Sequence, residues 1–172
     1  AWVDGGLLGF DEEARELVFA GNEASPLQNH VYRLHLEEQD GRVVAGSPRR
    51  CCPYGGGWQE GRLSPSGRFL LSTWQSPDKP REVDLLDCRP SGRSLHLLSA
   101  PDPCSGCRMP SVEVGTLLAA DGRTPLFYRL LKPVDFDAAR RYPAIVYVYG
   151  GPGIRLISDR WQHEARGWDL FM

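Results

Sequence analysis

The sequence predicts a mainly β protein assembled from short antiparallel strands. Between Trp2 and Ala100, short apolar runs alternate with Pro, Gly, Asn and Asp turn chemistry, and helical periodicity is almost absent. The scheme recurs as two units of about 45 to 50 residues, each with several strands. After them, an Asp121-Gly122 hairpin signal and one continuous apolar run at 142–149 begin a second group. Four-stranded units of this period fit the blades of a β-propeller, and regular short strands also fit a β-sandwich with Greek-key connections.

In the first unit, residues 16–21 read as a strand that Asn22, Glu23, Ala24, Ser25 and Pro26 break. Residues 29–36 then alternate, with Val31 and Arg33 on one face and Tyr32, Leu34 and Leu36 on the other. A turn at 37–41 leads to a short strand at 42–45, and 47–57, with Pro48, Pro53 and three consecutive glycines, reads as irregular. Asp11, Glu12 and Glu13 precede the first strand and read as a solvated turn.

The second unit opens on Ser64-Pro65-Ser66-Gly67, where proline presets a negative φ and Gly67 supplies the positive φ of a tight return. Strands follow at 68–74, 82–88 and 94–98 and complete a four-stranded set. Residues 101–111 read as a linker, and 112–131 as a separate hairpin around Asp121-Gly122. The run 142–149, rich in β-branched and aromatic residues and closed by Gly150-Gly151-Pro152-Gly153, reads as a strand buried on both faces. Its last residue, Tyr149, would then stand at the carboxyl edge of a sheet, where ligands and catalytic groups collect in α/β folds. Spacing alone also allows an ordinary strand-end aromatic. Apolar residues between Trp161 and Met172 are compatible with the start of a helix.

The formal charge of −2 arises from 22 acidic and 20 basic residues that are interspersed. No basic stripe is present to attract nucleic acid, and no polybasic patch to attract a membrane. No apolar run approaches the ~20 residues that span a bilayer, and the N-terminus lacks a signal-peptide pattern. The five cysteines, Cys51, Cys52, Cys88, Cys104 and Cys107, are odd in number and irregularly spaced, so they do not read as a disulfide framework. Cys104 and Cys107 have CxxC spacing, but no second CxxC or His pair follows at ligand distance and the surrounding prolines read as loop. The expectation is no metal and no cofactor. His30, His35 and His96 fall in strands and read as exposed or satisfied structural residues.

The string from Lys132-Pro133-Val134-Asp135 through Arg141-Tyr142-Pro143 to Val146-Tyr147-Val148-Tyr149-Gly150-Gly151-Pro152 resembles the entry into the catalytic domain of the prolyl oligopeptidase family, its dipeptidyl peptidase IV branch most of all. Weaker likeness sits in Trp2-Val3-Asp4-Gly5-Gly6, in Gly21-Asn22-Glu23 through Ser25-Pro26 to His30-Val31-Tyr32, and in Ser64-Pro65-Ser66-Gly67-Arg68. Such enzymes place an eight-bladed propeller before an α/β-hydrolase domain. The resemblance implies about two propeller blades in 1–110, then the first strands of an α/β-hydrolase sheet in 111–172. It implies for Tyr149 the role of a side-chain donor to the oxyanion hole, a peptide as substrate, and the remainder of the same polypeptide to close the propeller. It also admits a homodimer, since many relatives pair through the hydrolase domain.

A serine hydrolase of this type needs GxSxG, then an acid, then a histidine. No GxSxG occurs in the 172 residues, and His163 lies upstream of where the nucleophile would follow. The expectation is a piece of a serine exopeptidase that releases dipeptides from peptide N-termini, inactive alone. Glu12-Glu13 lacks the aromatic surroundings of the family's amine-binding glutamate pair, so substrate-binding residues stay unassigned. The alternative is a non-catalytic propeller module that binds other proteins, and a GxSxG beyond Met172 would separate the two.

Overall fold

The computed structural model describes residues 6–51, 53–89, 92–151 and 153–171. Trp2, Val3, Asp4, Gly5, Cys52 and Pro152, which carry part of the readings above, lie outside the described residues. Among the described residues, eleven strands form two antiparallel sheets and a separate hairpin.

The first sheet has the order β1 (Gly6–Asp11), β2 (Glu16–Gly21), β3 (His30–Gln39) and β4 (Arg42–Ala45). The reading of 47–57 as wholly irregular needs correction, because a two-residue strand β5 (Arg49–Arg50) also pairs with β3. The outer strand is therefore split, and Pro48, which has no N–H to donate, sits in the gap. Asp40 and Gly41 close β3 onto β4 with φ of 53° and 72°, the two positive values that a twisted two-residue hairpin requires.

The second sheet is a meander of β6 (Trp58–Leu63), β7 (Phe69–Ser76), β8 (Lys79–Asp87) and β9 (Ser94–Ser99). Strand β6, like β1 before it, is one that the sequence reading left unnamed. Its polar residues Gln59, Glu60 and Arg62 and its central Gly61 hide the alternation. Gly61 is required by packing, since a Cβ there would stand 2.7 Å from Leu70 Cδ1. The Ser64–Gly67 turn forms as expected, with Gly67 at φ 73° and its N–H donating to the Ser64 carbonyl at 2.9 Å.

The sheets pack face to face. Val18 and Val31 of the first meet Leu70 and Leu86 of the second, with Cys88 completing the buried cluster and Leu8, Cys51 and Leu63 lining its rim. Gln59, fully buried, joins them in a polar manner: its side-chain carbonyl accepts the Val31 N–H at 2.9 Å while its amide donates to Ser72 Oγ at 2.9 Å. A buried amide is tolerated only when its hydrogen bonds are made, and here both ends are occupied.

Strands β10 (Ser111–Leu118) and β11 (Pro125–Lys132) form the predicted hairpin. Asp121 stabilises its turn by accepting the Arg123 and Thr124 N–H groups and the Thr124 hydroxyl, and these bonds, the hydroxyl first, bring its carboxyl pKa down to about 2. Near the C-terminus, Trp161–Glu164 make a single tight turn and Gly167–Phe171 a short helix α1.

The strand expected at 142–149 does not form. The segment lies outside every sheet, and Val146 and Val148 are 83% and 73% exposed. A strand is completed by neighbours on both edges, and no described residue supplies one here. Its composition marks it for burial without providing the surface that would bury it.

Candidate functional site

Tyr149 is half exposed at the end of this extended segment. The backbone then turns at Gly150 with φ 70°, and the Tyr149 ring folds over Gly151 so closely that a Cβ there would sit 2.9 Å from Cε1. A side chain at 151 would force the phenol aside, which gives the second glycine its physical reason. Gly153, at φ 82°, completes the turn.

The residues that follow run back onto the sheets. Asp159 donates its N–H to the Leu27 carbonyl at 2.8 Å and accepts the Gln28 side-chain amide at 2.8 Å. Arg160 reaches Glu60 at 2.7 Å and lies 4.2 Å above the Trp58 ring, with Arg155 on the same ring at 5.1 Å. The Trp161 N–H donates to the Gln75 side chain and the Gln162 N–H to the Pro77 carbonyl. Three loop ends, those before β3, at the start of β6 and between β7 and β8, therefore hold one segment.

Within that segment Gln162, His163 and Glu164 have φ of 52°, 50° and 64°. Left-handed backbone at consecutive non-glycine residues costs roughly 1–2 kcal/mol each and persists only when surrounding contacts enforce it. Those contacts come partly from Arg129 of β11, whose largely buried guanidinium donates to the Leu156 and His163 carbonyls at 3.2 and 2.7 Å and faces Asp169 at 3.4 Å. Burial draws the Arg129 pKa down, with Asp169 and then Glu164 opposing. The hairpin is thus tied through Arg129 to the segment that holds the sheets.

His163 donates from Nδ1 to the Ser158 carbonyl at 3.2 Å, and Ser158 Oγ accepts the Arg160 N–H at 3.4 Å. The two side chains are not paired, so they do not form a nucleophile–base couple. His35 is exposed and His96 sits between Asp84 and Glu82, but His30 is fully buried. Its Nε2 lies 3.1 Å from Gln28 Oε1, and its Nδ1 has no hydrogen-bond partner among the described residues. Burial, with Arg50 adding to it, pulls its pKa down to about 4, so the ring is neutral at pH 7.

The reading of Asp11 as solvated is overturned. Asp11 is 0% exposed and pairs with the equally buried Arg33 at 2.5 Å, while Arg33 also bonds the Glu16 carboxylate and the Gly67 carbonyl. Burial alone would raise the Asp11 pKa, but the Ala14 N–H and Arg33 outweigh it and hold it low. Glu13 is exposed and binds Arg89 at 2.7 Å. The available signal was a single arginine inside apolar strands, at Arg33 and again at Arg129, because a buried guanidinium demands carboxylates or carbonyls nearby.

Cys104 and Cys107 occupy a turn, the Cys107 N–H donating to the Cys104 carbonyl. Among the described residues no group of three or more His, Cys, Asp or Glu is arranged to hold a metal, and no helix is long and apolar enough to cross a membrane.

Two successive antiparallel sheets packed face to face, one a four-stranded meander and the other four strands with the short β5 beside them, resemble propeller blades. Residues 1–81 match the family model described as the dipeptidyl peptidase IV N-terminal region. Over 94% of its length the chain is 28% identical to dipeptidyl peptidase 8 of Mus musculus, and over 90% it is 24% identical to dipeptidyl aminopeptidase A of Saccharomyces cerevisiae. It superimposes with a TM-score of 0.79 and 37% identity on a provisionally named dipeptidyl aminopeptidase IV from Bacteroides ovatus, covering 96% of this chain and 22% of that one. Over its propeller region the chain is homologous to dipeptidyl peptidases. It spans 17% and 18% of the two curated relatives, about a fifth of their length.

Proposed function

We propose that the protein carrying this chain is a serine exopeptidase that removes dipeptides from peptide N-termini, and that Tyr149 is a hydrogen-bond donor to its oxyanion. In this reading 1–110 are C-terminal blades of a propeller, and 111–172 open the α/β-hydrolase domain. The observation that carries it is the segment 154–165. It follows the Tyr149-Gly150-Gly151 turn directly and is fastened to loops of both blades and to Arg129 of the hairpin. On this reading a phenol tethered so close to that junction would stand where a peptide leaving the propeller meets the hydrolase domain.

The chemistry suits the role. A tyrosine hydroxyl can donate a hydrogen bond as negative charge develops on the carbonyl oxygen. The nucleophile, acid and base would come from residues other than these 172. In the complete enzyme the segment 142–149 would gain sheet neighbours, which its exposed Ile145, Val146 and Val148 require.

The test is incubation of the full-length protein with short peptides that have either a free or an acetylated amino terminus. Release of the N-terminal dipeptide from the free peptides only, abolished by a serine-directed phosphonate, is the expected result. No release, with unmodified protein after phosphonate treatment, would overturn the reading in favour of a non-catalytic propeller.

A further inference from the structure

We propose that Cys51 and Cys88 are a modification site, a dithiol that a small peroxide converts into a disulfide locking the two blades together. The cysteines belong to different sheets: Cys51 follows β5 and Cys88 follows β8. Both backbones are fixed, Cys51 by its N–H to the Val31 carbonyl at 2.8 Å and Cys88 by its N–H to the Arg68 carbonyl at 3.2 Å. Both thiols are free and pack on the Val18, Val31, Leu70 and Leu86 cluster. Both also line one cavity of about 210 Å³, which they share with Arg49, Arg50 and Arg89.

The pair is chemically asymmetric. The interaction of the two thiols is the largest influence on both. It brings the Cys88 pKa down to about 7 against the opposing effect of burial, with the positive charges of Arg33 and Arg49 assisting. The same interaction, and then burial, pushes Cys51 up. Arg49 is held in place by its bond to the Cys88 carbonyl at 3.1 Å. Cys88 is thus the more acidic thiol and the one poised to attack, and Cys51 is the resolving cysteine.

Hydrogen peroxide is small enough for such a cavity. The Cys88 thiolate attacks one peroxide oxygen, the O–O bond breaks, and hydroxide leaves, giving a sulfenic acid at Cys88. Cys51 then loses its proton and attacks Cys88 Sγ. The sulfenic oxygen departs as water, so two thiols and one peroxide become one disulfide and two waters. The cross-link ties the end of the split outer strand of one blade to the third strand of the next, across a seam otherwise held near this edge by the hydrophobic cluster and the Arg49 bond to the Cys88 carbonyl.

The experiment treats the native full-length protein with hydrogen peroxide, blocks remaining thiols with N-ethylmaleimide under denaturing conditions and maps the digest by mass spectrometry. Most of the Cys51 and Cys88 peptides should be recovered as one linked species, two hydrogens lighter than their sum and separated by dithiothreitol. In Cys51→Ser the sulfenic acid should persist at Cys88 and be trapped by dimedone. Recovery of both residues as alkylated thiols, a link from Cys51 to Cys52 instead, or dimedone labelling at Cys51 in preference to Cys88 would each overturn the assignment.

Discussion

Replacing Arg33 by methionine should unlock the first blade. The guanidinium is fully buried and makes three contacts, to Asp11 at 2.5 Å, to Glu16, and to the Gly67 carbonyl at 3.1 Å. Methionine fills much of the space but leaves the Asp11 carboxylate at 0% exposure, with Arg89 at 4.0 Å as its nearest remaining cation. Removing one partner of a buried pair costs roughly 3–5 kcal/mol, because the other charge stays desolvated. Read as local opening in the full-length protein, that cost should accelerate amide hydrogen exchange in β1–β3 by about 10²–10⁴-fold. Adding Asp11→Asn should recover part of it, since an asparagine can still accept the Ala14 N–H now bound at 3.0 Å. Acceleration below about tenfold in Arg33→Met, with no gain from the second change, would refute the argument that this ion pair is buried and structural.

Two other predictions concern the same blade pair. His30 is held neutral, with a folded pKa of about 4 against 6.5 unfolded, so its contribution is complete above pH 6.5 and is lost as the pH falls toward 4. Between pH 7 and pH 5 this should cost roughly 2 kcal/mol, seen as a fall in denaturation midpoint that is smaller in His30→Gln; equal falls would contradict it. Gly67→Ala should destabilise by at least about 2 kcal/mol, since it combines a positive φ with close backbone contact. The added Cβ would lie 2.5 Å from Asp11 Cα and 2.8 Å from the Phe10 carbonyl oxygen. An unchanged midpoint would show that this turn is looser than described.

The strands that were legible in the sequence are those whose turns carry backbone chemistry, as at Ser64–Gly67 and Asp121–Gly122. Proline, glycine and aspartate act locally and need no tertiary context. Strand β6 escaped because Gln59 is buried for its hydrogen bonds and Gly61 for its lack of a side chain, and neither advertises burial by hydrophobicity. Asp11 escaped for the converse reason: three consecutive acids look solvated, and only the fold reveals that Arg33 takes the first of them. The segment 154–165 was illegible as a site because its hold on the blades depends on main-chain groups at Leu27 and Pro77. The run 142–149 shows the opposite limit, since its composition specifies a buried strand while pairing is a property of neighbours.

The proposed mechanism rests most directly on the hydroxyl of Tyr149. Tyr149→Phe in the full-length protein removes that donor and leaves the ring that covers Gly151. Steady-state kinetics on a dipeptide amide with a fast leaving group, alongside burst kinetics to establish that acylation limits the rate, give the decisive comparison. The account predicts turnover lowered by roughly 10²–10³ with KM little changed, the loss expected for one oxyanion donor. Unaltered turnover under acylation-limited conditions would contradict it and leave Tyr149 as an aromatic at the end of an extended segment.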